Sequence, residues 1–203
     1  MVAMISDIVK PAVTRLITPA AKGLLRIGLT PNSVTVVGAI GLVASAFVFY
    51  PAENFVWGTV AVTLFALSDL FDGTMARISQ QGSSRWGGFL DSTIDRITDS
   101  AVLMALIFAL NKEKNDLVPV AAVALLTGIL VPYIRAKAES LDVECHGGLA
   151  ERTERLIIIL LAIFLHGLGV PYSLAIGIWL VAILGAITSL QRILIVRNAL
   201  KVA

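Results

Sequence analysis

Six apolar segments separated by short turn signals constrain this chain more than any other feature of its sequence. They cover approximately residues 33–50, 55–78, 87–110, 117–138, 155–168 and 172–195. A helix that crosses the hydrocarbon core of a bilayer needs roughly 20 apolar residues. Of the 203 residues, 57% are hydrophobic and only 15% are charged, whereas about a quarter of a soluble domain is charged. We therefore predict an all-α integral membrane protein with six transmembrane helices.

Residues 1–29 precede the first apolar segment and have a different pattern. Apolar residues recur there at steps of three and four, with basic residues between them: Lys10, Arg15, Lys22 and Arg26. This pattern is typical of an amphipathic helix on an anionic membrane surface, and it also fits a helix that packs on the bundle. We expect a single domain over residues 1–203, with a juxtamembrane amphipathic helix in 1–29 and a six-helix bundle in 30–203.

The distribution of basic residues predicts the orientation of the bundle. Six spans place both termini on one side, and an inside N-terminus leaves only Lys112 and Lys114 of the 16 Lys and Arg residues outside. This distribution follows the positive-inside rule. We therefore expect a multi-pass protein of the cell membrane with both termini in the cytoplasm.

Carboxylates interrupt the apolar segments near one membrane face. In the third segment only Ala101–Leu110 is apolar after Asp99, which is about 15 Å of helix. To cross the membrane, this helix must also include Asp91 and Asp95. Each charge inside the membrane costs about 2.5–3.5 kcal/mol, so these side chains must face a shared polar cavity rather than lipid. The sequence predicts a water-accessible pocket that opens to the cytoplasm.

Four of the aspartates occur in pairs that share a helical face. Asp69 and Asp72 are three residues apart, and Asp91 and Asp95 are four apart. Carboxylates that converge within about 5 Å repel by roughly 3 kcal/mol per pair at an effective dielectric constant of 20. Divalent cations would offset this repulsion. Ligands that are all oxygen suit Mg²⁺ or Mn²⁺ and leave coordination positions for phosphate.

The aspartates belong to a longer pattern of fixed residues. It reads Asp69-x-x-Asp72-Gly73-x-x-Ala76-Arg77 and, after nine residues, Gly87-x-x-x-Asp91-x-x-x-Asp95. In order and spacing it resembles the signature of the CDP-alcohol phosphotransferase family. The segment Thr30-Pro31-Asn32-Ser33-Val34-Thr35, at the start of the first span, is also similar to the nucleotide-side segment of that family.

The resemblance implies an enzyme of phospholipid biosynthesis, a homodimer with six membrane helices per subunit. Such an enzyme transfers a phosphatidyl group from CDP-diacylglycerol to an alcohol by in-line displacement with two metal ions. Two divalent ions, Mg²⁺ or alternatively Mn²⁺, would be held by Asp69, Asp72, Asp91 and Asp95. Asp95 would also be the catalytic general base, whereas we interpret Asp99 as paired or supporting.

The same resemblance assigns a group of residues to binding of the donor substrate, CDP-diacylglycerol. These are Pro31, Asn32, Thr35, Asp69, Gly73, Ala76, Arg77, Ser83 and Gly87. Arg77 follows Gly73 by one helical turn, and its guanidinium suits the diphosphate. Gly73, Gly87 and the neighbouring Gly88 either let the backbone approach a phosphate or allow tight helix packing.

Basic residues at the ends of three other helices indicate the class of alcohol. Lys137, Arg155 and Arg192 border the predicted cavity, so three cations can converge on one anionic group. Arg135 and Arg152 are secondary candidates. The alternative role for all five is that of positive-inside anchors.

Sequence features that differ among subgroups of the family also indicate an acceptor that carries a phosphate. The motif continues as Asp91-Ser92-Thr93-Ile94-Asp95-Arg96, and Glu151-Arg152-x-Glu154-Arg155 and Gln191-Arg192 follow later in the chain. Within the family these features most resemble actinobacterial enzymes that make phosphatidylinositol phosphate. We therefore expect inositol phosphate as the acceptor, with glycerol phosphate or another alcohol as the alternative.

Other classes account for less of the sequence. A divalent-cation transporter would carry acids on both halves of a repeat, whereas these acids share one leaflet. A membrane prenyltransferase also binds a diphosphate through aspartates, but it would lack the spacing of Gly73, Arg77 and Gly87. The aspartates could instead form buried salt bridges with Arg77, Arg85 and Arg96. Such bridges would need fewer acids than the four that occur here at helical spacing. No nucleic-acid partner is expected.

Overall fold

A computed structural model of the chain describes residues 17–79, 84–145 and 147–202, and these residues contain helices, turns and loops but no strand. In chain order the helices are α1 (17–26), α2 (Pro31–Phe49), α3 (Phe55–Ala66), α4 (Ser68–Ile78), α5 (Arg85–Lys112), α6 (Val118–Glu139), α7 (Arg152–Gly167) and α8 (Ser173–Val202). The predicted all-α class is confirmed.

Four stretches of helix among the described residues are long and apolar enough to cross a membrane. They are Pro31–Phe49, Phe55–Ile78, Val118–Glu139 and Ser173–Lys201. The 28-residue helix α5 carries the acids of the predicted third span, and α7 has only 16 residues. These helices are those of an all-α membrane protein, and the count of six spans stays a prediction.

The amphipathic helix predicted for residues 1–29 falls only partly within the described structure. Residues 17–26 are helical. Residues 1–16, which include Lys10 and Arg15, lie outside the described residues. The interfacial position of this segment therefore also stays a prediction.

Two helices near the predicted site begin at capping side chains. At the start of α2, the backbone N–H of Ser33 donates to Thr30 Oγ1 at 3.1 Å, and Pro31 is the first helical residue. At the start of α5, the N–H of Gly87 donates to Ser84 Oγ at 2.9 Å. A hydroxyl at the N-cap satisfies an N–H that has no partner within its helix, and proline suits the first helical position. These caps fix where both helices begin.

The chain forms two compact units, of which the first comprises the described parts of Met1–Ser45 and Ala61–Thr98. Here α2 packs closely on α3 and α4. A Cβ atom at Gly38 would lie 1.8 Å from Ser68 Oγ, and one at Gly41 would lie 2.3 Å from the ring of Phe65. Only glycine fits at position 38 in this packing, whereas a Cβ atom at position 41 would require the half-exposed ring of Phe65 to move.

The second unit comprises Ala46–Val60 and the described part of Asp99–Ala203. Within it, α8 packs on both α6 and α7. Small residues permit the close approach: a Cβ atom at Gly185 would lie 2.4 Å from Thr127 Oγ1, and one at Gly177 would lie 2.1 Å from the Cβ of Ala162. As in other membrane helices, small side chains replace bulky ones where backbones meet.

Candidate active site

Three aspartates of α4 and α5 form a cluster in the first unit. Asp69 lies in the first turn of α4, Asp72 lies one turn later, and Asp91 lies in α5. Each offers a carboxylate oxygen, and these oxygens all lie within 4.8 Å of one another. A set of carboxylate oxygens at this spacing fits a hard divalent cation such as Mg²⁺ or Mn²⁺. The structure thus brings together three of the four predicted metal ligands.

Asp72 is the buried member of the cluster, and a residue of α2 supports it. Its side chain is 6% exposed. The hydroxyl of Thr35, also buried, donates a hydrogen bond to Asp72 Oδ2, and the Pro31 carbonyl oxygen lies 3.1 Å from the same hydroxyl as a second acceptor. From the sequence, Thr35 was predicted to bind the donor substrate. Its hydrogen bond to Asp72 was not predicted.

A cavity of about 850 Å³ contains the three acids in its wall. Its size lies in the range of sites that enclose a small-molecule ligand. Most of the predicted donor residues line it, namely Pro31, Asn32, Thr35, Asp69, Gly73, Ala76 and Gly87. Thr30 of the predicted nucleotide-side segment and Gly88, one of the glycines considered for phosphate approach, also line it. Sequence reasoning missed the other residues of the wall: Leu25, Gly28, Leu29, Ile78, Ser79 and Ser84. Leu25 lies in α1, whereas Gly28 and Leu29 follow the end of that helix, so helical periodicity provided no signal for these two residues.

Two glycines of the signature have different surroundings. A Cβ atom at Gly73 would meet no other group within 4 Å among the described residues, so this backbone faces open space. At Gly87, a Cβ atom would lie 3.1 Å from both Asn32 Oδ1 and Ser84 Oγ. Gly73 therefore leaves room for a ligand, whereas Gly87 allows α5 to approach the start of α2.

Of the residues predicted to bind the donor, Arg77 lies outside the described cavity wall, and Ser83 lies outside the described residues. Arg77 is exposed at the end of α4, where its Nη2 donates to Thr74 Oγ1 at 3.3 Å. Donor binding by these two residues stays a prediction.

Asp95 follows Asp91 by one turn of α5 but is not a member of the three-acid cluster among the described residues. Its Oδ2 lies 3.9 Å from Nη1 of Arg96, and its side chain is 18% exposed. One turn further, Asp99 accepts from Nε of Arg152, which lies 3.2 Å from both carboxylate oxygens. The interpretation of Asp99 as a paired residue is confirmed. The roles of Asp95 stay predictions.

The basic residues predicted for the acceptor lie in the second unit. Arg192 is 5% exposed, and it donates from Nε to the carbonyl of Gly147 at 3.1 Å and from Nη1 to that of Val131 at 2.8 Å. Arg155 is 7% exposed and lies in α7 near its start, and Lys137 is exposed in the last turn of α6. Two of these three cations are therefore buried within membrane-spanning or neighbouring helices, where charge is costly without a polar partner.

The two secondary candidates for acceptor binding each pair with an acid. Arg152 contacts Asp99, as described above. The Nε of Arg135 lies 2.9 Å from Glu139 Oε1, one turn later on α6, and both side chains are about half exposed. An exposed pair at this spacing stabilises a helix only slightly.

Most of this chain matches a known protein family. The family model described as CDP-alcohol phosphatidyltransferase matches residues 28–198. A phosphatidylinositol phosphate synthase of Streptomyces avermitilis is 43% identical over 206 residues, which cover 97% of this chain and 84% of the relative.

Solved structures of a phosphatidylinositol phosphate synthase of Mycobacterium tuberculosis are also similar to this chain, with 39% identity. The structure with CDP-DAG bound has a TM-score of 0.84 and covers 90% of this chain and 94% of that one. The complex with manganese and citrate has a TM-score of 0.84 and covers 88% of each chain. The chain therefore belongs to the CDP-alcohol phosphatidyltransferase family.

Proposed function

We propose that this protein transfers the phosphatidyl group of CDP-diacylglycerol to a hydroxyl of inositol phosphate, which releases CMP and gives phosphatidylinositol phosphate. The observation that carries this proposal is the 850 Å³ cavity, whose wall combines the three clustered acids with most of the donor residues of the family signature. Relatives that cover most of the chain are named for the same product.

Asp69, Asp72 and Asp91 would hold divalent ions, Mg²⁺ or Mn²⁺, and Asp95 would complete the set. When bound, two such ions neutralise charge on the diphosphate and on the entering and leaving oxygens. Thr35 keeps the Asp72 carboxylate fixed through its hydrogen bond. The open space at Gly73 lets the donor diphosphate approach the backbone of α4, and the guanidinium of Arg77 binds the same group.

Asp95 accepts the proton of the acceptor hydroxyl as general base. The hydroxyl oxygen then forms a bond to the phosphorus that carries diacylglycerol, and the bond from that phosphorus to the bridging oxygen of the diphosphate breaks. CMP leaves with the bonding electron pair. A carboxylate positioned for such a proton transfer contributes about 10²–10⁴-fold to the rate.

Lys137, Arg155 and Arg192 bind the phosphate of the acceptor, with Arg135 and Arg152 as secondary contacts. Burial of Arg155 and Arg192 supports this assignment because a buried guanidinium loses little further hydration when it meets an anion. The hydrogen bonds of Arg192 to two backbone carbonyls also restrict its orientation.

The bundle spans the cell membrane six times, through α2, the α3–α4 stretch, α5, α6, α7 and α8. Both termini and the active site face the cytoplasm, as the distribution of Lys and Arg indicates. The chain acts as a single domain over 1–203, in which residues 1–29 lie on the membrane surface. Two chains assemble as a homodimer.

An acceptor panel tests this function. Purified protein is supplied with CDP-diacylglycerol and Mg²⁺, together with inositol phosphate, glycerol phosphate, inositol or serine, and the lipid product is identified by mass spectrometry. Phosphatidylinositol phosphate should form, and Asp91→Asn should abolish it. Formation of phosphatidylglycerophosphate from glycerol phosphate alone would assign the chain to the same chemistry with a different acceptor.

A further inference from the structure

The connection between α6 and α7 joins two helix ends that both carry proposed acceptor-binding cations. Lys137 lies in the last turn of α6, and Arg155 lies near the start of α7. The path of the intervening chain therefore determines how far apart these two side chains lie. Within that connection, residues 147–150 are held against α8 in the second unit.

Two residues of α8, one helical turn apart, hold this segment. Arg192 Nε donates to the carbonyl of Gly147 at 3.1 Å, and the N–H of Ala150 donates to Thr188 Oγ1 at 3.4 Å. Thr188 is 0% exposed and Ala150 is 2% exposed. Residues four apart on a helix share one face, so a single face of α8 makes both hydrogen bonds.

Gly148 lies between these two contacts and packs directly on Thr188. Its φ of +141° is in the region that favours glycine. A Cβ atom at this position would lie 2.5 Å from the Cγ2 methyl of Thr188. Glycine is thus required both for the backbone conformation and for the close approach to α8.

We infer that Thr188 and Gly148 are positioning residues for the acceptor site. Thr188 fixes the 147–150 segment on α8 through one hydrogen bond and one methyl contact, and the segment in turn fixes the first turn of α7, from which Arg155 extends. This inference rests on the proposed function for its enzymatic consequence. Its structural part, that Thr188 holds the segment, has a separate readout.

The main variant is Thr188→Val, which keeps the shape of the side chain and removes the hydroxyl. Loss of one buried hydrogen bond should lower the equilibrium constant for holding residues 147–150 on α8 by about 3- to 10-fold. The acceptor KM should rise by the same factor, and the KM for CDP-diacylglycerol should stay within about twofold because its proposed ligands lie in the first unit. Thr188→Ser, which keeps the hydroxyl, should leave the acceptor KM closer to the wild-type value. The control is Ser189→Ala, which removes a buried hydroxyl that donates to the Gly185 carbonyl of its own helix and adds no new atoms.

A second variant tests the methyl contact. Gly148→Ala should raise the acceptor KM at least as much as Thr188→Val, and adding Thr188→Ser should recover part of the loss because serine lacks the Cγ2 methyl. The backbone strain at position 148 prevents full recovery. Gly128→Ala is the control, since a Cβ atom there meets nothing within 4 Å among the described residues.

Cys145 supplies a readout that does not depend on turnover. It is the chain's single cysteine and is 1% exposed, two residues before Gly147. Its labelling by a maleimide should be slow in the wild type and about 3- to 10-fold faster in Thr188→Val. Ser189→Ala should label at the wild-type rate.

These measurements separate the inference from the proposed function. If the wild type uses glycerol phosphate instead, the proposed acceptor is wrong, and the KM comparison is made with that alcohol. Unchanged labelling and unchanged acceptor KM in Thr188→Val overturn the inference. So does faster labelling without a change in acceptor KM, or an equal rise in the KM of both substrates.

Discussion

The hydroxyl of Thr35 in α2 donates a hydrogen bond to Oδ2 of Asp72 in α4. Asp72 is the buried acid of the three-aspartate cluster, so this bond fixes the carboxylate that is least able to reorient through water. A ligand that is oriented by a second residue binds metal more tightly than a mobile one. The start of α2 therefore contributes to the proposed metal site as well as to the wall of the neighbouring cavity.

Replacement of Thr35 by valine should weaken metal binding while preserving the helix. A hydrogen bond to a charged group is worth about 1.5–3 kcal/mol, so Mn²⁺ affinity should fall roughly 10- to 100-fold. Thr35→Ser keeps the hydroxyl and should retain most of the affinity. Titration of Mn²⁺, followed by electron paramagnetic resonance, measures the change. Equal Mn²⁺ affinity in Thr35→Val and wild type would show that the bond does not support the ligand.

Asparagine in place of Asp69, Asp72 or Asp91 should abolish both metal binding and turnover. The melting temperature measured in a chelator should stay constant or rise, because each change relieves repulsion among the acids. Asp116→Asn, at an exposed position of the second unit, is the control and should bind metal normally. A variant that lacks two of the three acids and still turns over at nearly the normal rate would refute the metal site.

Asp95→Asn tests whether Asp95 acts as the general base or only as a metal ligand. It should lower kcat by about 10²–10⁴-fold, because the acceptor hydroxyl loses its proton acceptor. The Kd for CDP-diacylglycerol should stay near the wild-type value. Calorimetric donor binding and single-turnover rates measure the two quantities independently. Weaker donor binding with a normal chemical step would instead identify Asp95 as a ligand only.

Arg155→Ala should raise the KM for inositol phosphate by about 10- to 100-fold, since a charge-assisted contact to phosphate is worth roughly 1.5–3 kcal/mol. The KM for CDP-diacylglycerol should barely change. Lysine at this position should rescue only part of the loss because it cannot make the bidentate contact. The exposed Arg197→Ala, near the end of α8, is the control. An unchanged acceptor KM in both Arg155→Ala and Arg192→Ala would make these cations topology anchors.

Sequence reasoning identified the helices and the acids well because both depend on spacing along the chain. The predicted fourth segment, 117–138, corresponds to α6 (Val118–Glu139), and the i,i+3 spacing of Asp69 and Asp72 places both acids in the observed cluster. The signature glycines and Pro31, Asn32 and Thr35 lie in the cavity wall for the same reason. Local periodicity determines which helical face a residue occupies.

Contacts between helices could not be predicted in this way. The hydrogen bond from Thr35 to Asp72 depends on the rotation of α2 against α4, and the bond from Arg192 to Gly147 depends on the path of a connecting segment. The division of the 55–78 segment at Leu67 into α3 and α4 also has no marker such as proline. Such features arise from tertiary packing, about which a single sequence carries little information.

The close packing of Gly38 against Ser68 has an evolutionary consequence. Ser68 immediately precedes the acid Asp69, and no side chain fits at position 38 while a serine occupies position 68 in this arrangement. A larger residue at 38 would displace the start of α4 and hence Asp69, a proposed metal ligand. Among functional members of this family, the sizes of the residues at these two positions should therefore vary inversely, and an enlargement at one should be tolerated only after a reduction at the other.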